Sequence, residues 1–163
     1  MKLFVLRMNQ DDPKKCTAAK LVKFKIASDL KTTNKKNLVL DPFAEKTLFP
    51  KDKSRINSIV GIDCSWNLAD KAFSKTFTGI KRKLPPLLAG NPVNYSKLNK
   101  LTTAEALSAA LYILGFKKEA IDLLDKFKWG HTFYDLNKNL LNEYSSIESE
   151  EQVETILKDF GLS

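Results

Sequence analysis

Ile59-Val60-Gly61-Ile62-Asp63-Cys64 is an apolar run that stops on an acid. A strand with no polar residue along its length is buried on both faces, as in a parallel sheet covered by helices. Similar runs lie on either side. Leu3 to Met8 is a strand candidate near the start of the chain. Leu38-Val39-Leu40 is cut off by Asp41-Pro42, because proline donates nothing to a ladder. Leu87-Leu88-Ala89-Gly90 is read as a third buried strand, closed by Asn91-Pro92. Between the first two runs, Thr17 to Ala27 has helical composition with Leu21 and Val22 on its apolar side. The first part of the chain is therefore α/β. Ligands of such sheets collect beyond the carboxyl ends of the strands, which is where Asp63 stands.

From about residue 101 the apolar period becomes helical. Thr102 and Glu105 form a capping box ahead of Leu107, Ala110, Leu111 and Leu114, and Gly115 ends that helix. Ala120, Ile121, Leu124 and Phe127 make a second stripe, and Phe133, Leu136, Leu140, Leu141 and Tyr144 a third. Ser149 and Gln152 precede a fourth, which is expected to bury Val153, Ile156, Leu157 and Phe160. The expected division is an α/β part at 1–92 and a helical part at 93–163, closely packed because the junction is short.

The chain of 163 residues carries a net charge of +8, distributed unevenly. Residues 1–100 hold 21 Lys/Arg against 8 Asp/Glu, whereas residues 101–163 hold 6 against 11. A basic half joined to an acidic half points to a polyanion met by the first half, although a Lys-rich solvated surface would give the same count. No apolar run approaches the roughly 20 residues of a membrane span. The N-terminus is too short in apolar residues for a signal peptide, so a cytoplasmic protein is expected. One His and two Cys do not make a convincing zinc site, and Cys16 and Cys64 read as thiols rather than a bridge. A Walker loop, GxGxxG, CxxC and a Ser-His-Asp order are all missing, which removes the usual support for NTPase, dehydrogenase, redox and hydrolase readings.

Several segments combine residue types that are costly unless used. Asp12-Pro13-Lys14-Lys15-Cys16-Thr17 is a turn into a helix, and a helix start can also offer N–H groups to a carboxylate or phosphate. Asp63, partly desolvated at a strand end, is followed three residues on by Trp66. A capping Asp with a core Trp explains the pair as well as a cofactor pocket does, though an indole face attracts a sulfonium. Basic clusters at Lys14/Lys15 with Lys20 and Lys23, at Lys51/Lys53/Arg55, at Lys81/Arg82/Lys83 and at Lys97/Lys100 suit a phosphate backbone better together than singly.

In order along the chain, Asp12–Thr17, Leu38–Pro42, Gly61–Trp66, Leu88–Tyr95 and Phe127–Asn137 resemble the small-subunit rRNA aminocarboxypropyltransferases in their archaeal form. Each segment is short, but the ordered set spans nearly the whole chain. The resemblance implies a SPOUT-like knotted α/β N-terminal domain packed on an all-helical C-terminal domain, with S-adenosylmethionine bound between them. Thr17 would hold the cofactor's amino-acid arm. Leu40, Pro42, Trp66 and Ala106 would enclose its apolar parts, and main-chain groups of Ile62, Leu84, Asn99 and Thr103 would reach its polar ones. Asp41, Gly90 and Asn99 depart from the family pattern.

The resemblance further implies transfer of the 3-amino-3-carboxypropyl arm to N3 of a pseudouridine, often N1-methylated, in small-subunit rRNA or a pre-ribosomal particle. Asp63 would accept or orient the acceptor's proton, or organise the cofactor loop. A monomer needing no metal and no membrane is expected. The competing readings are a SPOUT-type rRNA methyltransferase and a non-catalytic basic ribosome-assembly factor.

Overall fold

A computed structural model of the chain describes residues 1–8, 14, 16–64, 68 and 77–162. Its strands are β1 (Lys2–Arg7), β2 (Ser28–Asp29), β3 (Asn37–Leu40), β4 (Ser58–Asp63) and β5 (Ile80–Arg82). They form one sheet in the order β2-β1-β4-β3-β5, with every neighbouring pair parallel. The Ile59–Cys64 run supplies the central strand. β4 pairs with β1 from Lys2↔Ser58 to Arg7↔Asp63 and with β3 from Asn37↔Ser58 to Leu40↔Gly61. Every residue of β3, and β4 as far as Ile62, is buried; their apolar runs are covered on both faces. The polar residues that start them satisfy each other, Asn37 Nδ2 donating to the Ser58 hydroxyl.

The helices are α1 (Thr17–Lys23), α2 (Thr103–Ile113), α3 (Lys117–Leu124), α4 (Gly130–Tyr144) and α5 (Gln152–Asp159). α2 starts at the expected capping box, with Thr102 Oγ1 accepting from the amide of Glu105 at 3.2 Å. It is buried on nearly every side rather than along one stripe, because it lies between the sheet and the remaining helices. Gly61 makes the close approach to β4 workable. A Cβ there would lie 2.9 Å from the Thr103 methyl and 3.3 Å from Leu107 Cγ. Leu3, Leu21, Leu38 and Ile59 from the first half share one apolar cluster with Leu107, Phe133, Tyr144 and Ile156 from the second. The sheet's other face carries a smaller cluster of Leu6, Val39, Val60 and Ile62.

The expected architecture is corrected by these observations. The structure is an α/β fold on one parallel sheet, and no knot is shown by the described residues. The helices of residues 103–162 do not form an all-helical domain beside it, because α2 packs directly on β4 and the core is continuous. Two elements also differ from their sequence reading. Leu87–Gly90 is not a strand of the sheet; it is one arm of a hairpin, joined to the other by an antiparallel bridge between Leu88 and Leu98. The fifth strand is Ile80-Lys81-Arg82, whose basic residues disguise it. At the last helix, Phe160 is 40 % exposed instead of buried, and Gln152 Oε1 accepts from the amides of Glu148 and Ser149 at 2.6 and 3.2 Å.

Candidate functional site

Beyond the carboxyl ends of β3, β4 and β5 opens a cavity of about 1200 Å³. Its walls come from four directions: the start of α1, the three strand ends, the hairpin of residues 84–102 with the start of α2, and the first turns of α5. Thr17, Leu40, Pro42, Ile62, Asp63, Leu84, Asn99, Thr103 and Ala106, all singled out from sequence, line this one cavity. Lys15 and Trp66 lie outside the described residues.

Asp63 joins three elements. One carboxylate oxygen accepts from the Cys16 thiol at 3.0 Å and the other from the Thr103 hydroxyl at 3.2 Å. Cys16 caps α1, its sulfur accepting from the amide of Ala19 at 3.4 Å. Thr17, the next residue, receives the amide of Ala104 on its hydroxyl at 3.2 Å. The starts of α1 and α2 are therefore tied to each other and to the end of β4. Burial, followed by the hydrogen bond to Asp63, pushes the Cys16 thiol up to about 11. Neither Cys16 nor Cys64 is in a disulfide. At pH 8 the Cys16 thiolate is then on the order of a thousandth of the total, so its alkylation by iodoacetamide should be about a hundredfold slower than that of a free thiol. Mass spectrometry of the time course checks this, and labelling of Cys16 at a free-thiol rate would contradict the thiol–carboxylate bond.

The hairpin is held rigidly. Glu105, which exposes no surface, accepts on Oε1 from the amides of Gly90 and Asn91 at 2.7 and 3.0 Å. Its Oε2 accepts from Asn91 Nδ2 at 2.9 Å and from the amide of Thr102 at 2.7 Å. From below, fully buried Asn137 mimics a strand, accepting from the Leu88 amide at 2.8 Å and donating to its carbonyl at 2.7 Å. Tyr144 donates to the carbonyl of Pro86 at 2.8 Å. Gly90 is pressed against α4, where a Cβ would fall 2.4 Å from the amide nitrogen of Phe133. Asn99 sits at φ +62°, a left-handed conformation that Asn tolerates, and its side chain accepts from the amide of Leu87 at 3.3 Å.

Sequence reasoning missed part of the wall. Glu45 and Thr47 line the cavity beside β5, next to Lys83, which the sequence singled out only as an RNA contact. Glu150, Glu151, Val153, Glu154 and Leu157 close it from the last helix and the turn before it. Glu150 Oε2 accepts from the amide of Thr47 at 2.9 Å, which anchors that end of the chain to the sheet side. Nothing local marks these residues, since they are about a hundred positions apart in sequence. The result is a cavity with apolar patches and several carboxylates in a protein of positive net charge.

Among the proposed RNA contacts, Lys14, Lys23 and Arg55 are exposed, and Lys20, Lys81 and Lys83 are partly so. Arg82 is not at the surface and its expected role is corrected. It is 8 % exposed, its Nε reaches both carboxylate oxygens of Asp52 at 3.2 and 3.1 Å, and Asp52 is 1 % exposed. A buried guanidinium paired with a buried carboxylate is committed to the fold. Among the described residues, no group of three or more His, Cys, Asp or Glu could hold a metal ion, and no helix is long and apolar enough to cross a membrane.

A parallel α/β sheet with a deep cavity at its carboxyl edge defines a ligand-binding protein. Its relatives define the family. Residues 38–161 match the family described as "Ribosome biogenesis protein, C-terminal". The chain is 44% identical over 164 residues to a 16S rRNA aminocarboxypropyltransferase of Methanocaldococcus jannaschii, covering 98% of this chain and 95% of that protein. It is 45% identical over 161 residues to the corresponding protein of Saccharolobus islandicus, with the same coverage. Among solved structures it is similar to the SAM-dependent rRNA:acp-transferase Tsr3 from Vulcanisaeta distributa. That likeness has a TM-score of 0.86 and 37% identity and covers 99% of this chain and 93% of that one. The chain belongs to the 16S rRNA aminocarboxypropyltransferase family. Residues 1–35 also match a family described as "Possible Fer4-like domain in RNase L inhibitor, RLI". That stretch holds one cysteine, Cys16, so it cannot supply the four ligands of an iron–sulfur cluster.

Proposed function

We propose that this chain transfers the 3-amino-3-carboxypropyl arm of S-adenosylmethionine to N3 of a pseudouridine, or its N1-methyl form, in small-subunit rRNA. Methylthioadenosine is the by-product. The observation that carries this reading is the convergence of eight family-implied residues, with Asp63, on one cavity, in a chain 44% identical to a named 16S rRNA aminocarboxypropyltransferase. The cavity suits the cofactor chemically. A sulfonium and an ammonium against one carboxylate make the molecule a net cation, and the lining is apolar with Asp63, Glu45, Glu150 and Glu154 among its polar groups.

The cofactor's sulfonium activates each of its three attached carbons, so the carbon left facing the acceptor decides the product. The chain's part is to fix that pose. Leu40, Pro42, Ile62, Leu84 and Ala106 form the apolar wall, to which Trp66 is assigned as well. Thr17 and the joined starts of α1 and α2 offer polar groups to the arm. Asp63, already accepting two hydrogen bonds, holds those starts in place and puts a negative charge at the strand end. Residues 1–92 and 93–163 act as two walls of one cleft. Lys14, Lys15, Lys20, Lys23, Arg55, Lys81 and Lys83 meet the phosphate backbone of free rRNA or a pre-ribosomal particle. The protein acts as a cytoplasmic monomer.

One assay separates the readings. The protein is incubated with small-subunit rRNA and cofactor labelled either in the methyl carbon or in the carboxypropyl carbons. The expected result is carboxypropyl label in the RNA and methyl label in methylthioadenosine. Methyl label alone in the RNA would establish a methyltransferase. RNA binding with no cofactor binding by calorimetry would establish an assembly factor instead.

A further inference from the structure

The hairpin that roofs the cavity ends in a tip the reaction does not use. Val93 is 84 % exposed, Tyr95 57 % and Leu98 38 %, three large apolar side chains within six residues. Val93 and its neighbour Asn94 line the cavity mouth, so the tip is continuous with the site. It does not present these side chains through looseness. Asn91 Oδ1 accepts from the amide of Asn94 at 3.0 Å, and the amide of Lys97 donates to the Asn94 carbonyl at 2.9 Å. Ala89 and Ser96 close the ladder below, at 2.9 Å to the Lys97 carbonyl and 2.7 Å to that of Ala89. Ser96 stands at φ +64°, a conformation that turns the chain back after Tyr95. The base of the tip is clamped between Glu105 and Phe133.

A rigid loop that leaves more than half of its aromatic residue open to solvent is pre-organised for something else. The surroundings favour an anionic partner: Lys97 and Lys100 are exposed beside the tip, and Lys83 lines the cavity. An exposed phenol ring one residue beyond the cavity lining, on a loop that carries Lys97 and Lys100, suits an unpaired base, whose faces stack on aromatic rings while lysines meet its phosphates. A duplex offers no such face, because its bases are stacked on one another.

We infer that Tyr95 is a stacking platform for an unpaired RNA base next to the one that enters the cavity, with Lys97 and Lys100 holding the flanking phosphates. The inference rests on the cavity being an RNA-modifying site. It makes Tyr95 a substrate-positioning residue outside the cofactor wall.

The test uses the full chain and its Tyr95→Ala and Tyr95→Phe variants. Two fluorescein-labelled probes are compared by anisotropy: an unpaired 12-nucleotide RNA and the same strand in a blunt duplex. Tyr95→Ala is expected to weaken binding of the unpaired strand by about tenfold, while duplex binding changes by less than about twofold. Tyr95→Phe is expected to stay close to the parent on both. The affinity for S-adenosylmethionine and the melting temperature should be unchanged, since Tyr95 is exposed and roots no part of the fold. Equal affinity of Tyr95→Ala and the parent for the unpaired strand would overturn the inference, as would an equal loss on both probes or a Tyr95→Phe variant as weak as alanine. A ring-dependent preference for the unpaired strand, in a protein that transfers no carboxypropyl label, would support the platform and overturn the transferase reading alone.

Discussion

Glu105→Ala is expected to lower the unfolding free energy by about 4 kcal/mol, and with it the melting temperature by on the order of 10 °C. The carboxylate is completely buried and accepts four N–H groups, from Gly90, Asn91 twice and Thr102. Alanine leaves those donors facing an apolar void, and each unsatisfied buried donor costs about 1–3 kcal/mol, partly relieved by relaxation or an entering water. Glu105→Gln keeps the volume but turns an NH₂ group towards amide donors, so it should fall between the parent and alanine. Function should fail alongside stability, because the same four bonds hold the hairpin over the cavity. A weaker affinity for S-adenosylmethionine at 20 °C, where the variant remains folded, is the second expected reading. A melting temperature within about two degrees of the parent would show that these four bonds do not hold the hairpin.

The second large effect is expected at Asp63 and separates charge from geometry. Asparagine has nearly the shape of aspartate, and the Thr103 hydroxyl can turn to accept where it now donates. Asp63→Asn should therefore keep the junction of α1, α2 and β4 while removing a negative charge beside a cationic ligand. The affinity for S-adenosylmethionine should drop by about tenfold, the scale of one close charge pair at a partly wet site. With cofactor saturating, the transfer rate should stay within about threefold. Removal of a general base would instead cost about a hundredfold or more at saturation, and that outcome would reassign Asp63 from organising the site to taking the acceptor's proton. Asp63→Ala adds a structural readout. It deletes the acceptor that holds the Cys16 proton, so Cys16 should alkylate faster in that variant than in the parent.

Much of the site was legible because its residues sit where local grammar is strong. Ile59–Asp63 and Leu38–Leu40 could only be buried strands, and a strand that ends in Asp63 aims that residue at the sheet's carboxyl edge. The capping box at Thr102 placed the start of α2. What escaped detection depends on partners far away in sequence. Lys81-Arg82-Lys83 reads as a solvated basic run until Asp52, thirty residues earlier, is folded against Arg82. Leu87–Gly90 has the composition of a buried strand and is indeed buried in part, but Asn137 satisfies its backbone where a neighbouring strand would have done so. Glu105 was visible as a cap. Its larger role, receiving the hairpin's amides, uses the same two oxygens and leaves no separate trace in sequence.

The parallel sheet has a consequence for how the chain is made. Leu3 finds its partner Ile59 only after fifty-six more residues have been joined. At about 5–20 residues per second, the leading strand waits several seconds on the ribosome with one edge unpaired. The short pairing of Phe4 with Ser28 can form first and shields only one side. The roof of the cavity comes later still, since the hairpin at 84–102 cannot lock until Glu105, Asn137 and Tyr144 have been synthesised. A nascent chain halted before residue 105 would carry 21 of the chain's 27 basic residues against 8 acidic ones, and of the helices that line the binding cleft only α1 would be whole, so premature termination should yield a sticky polycation rather than a partial enzyme.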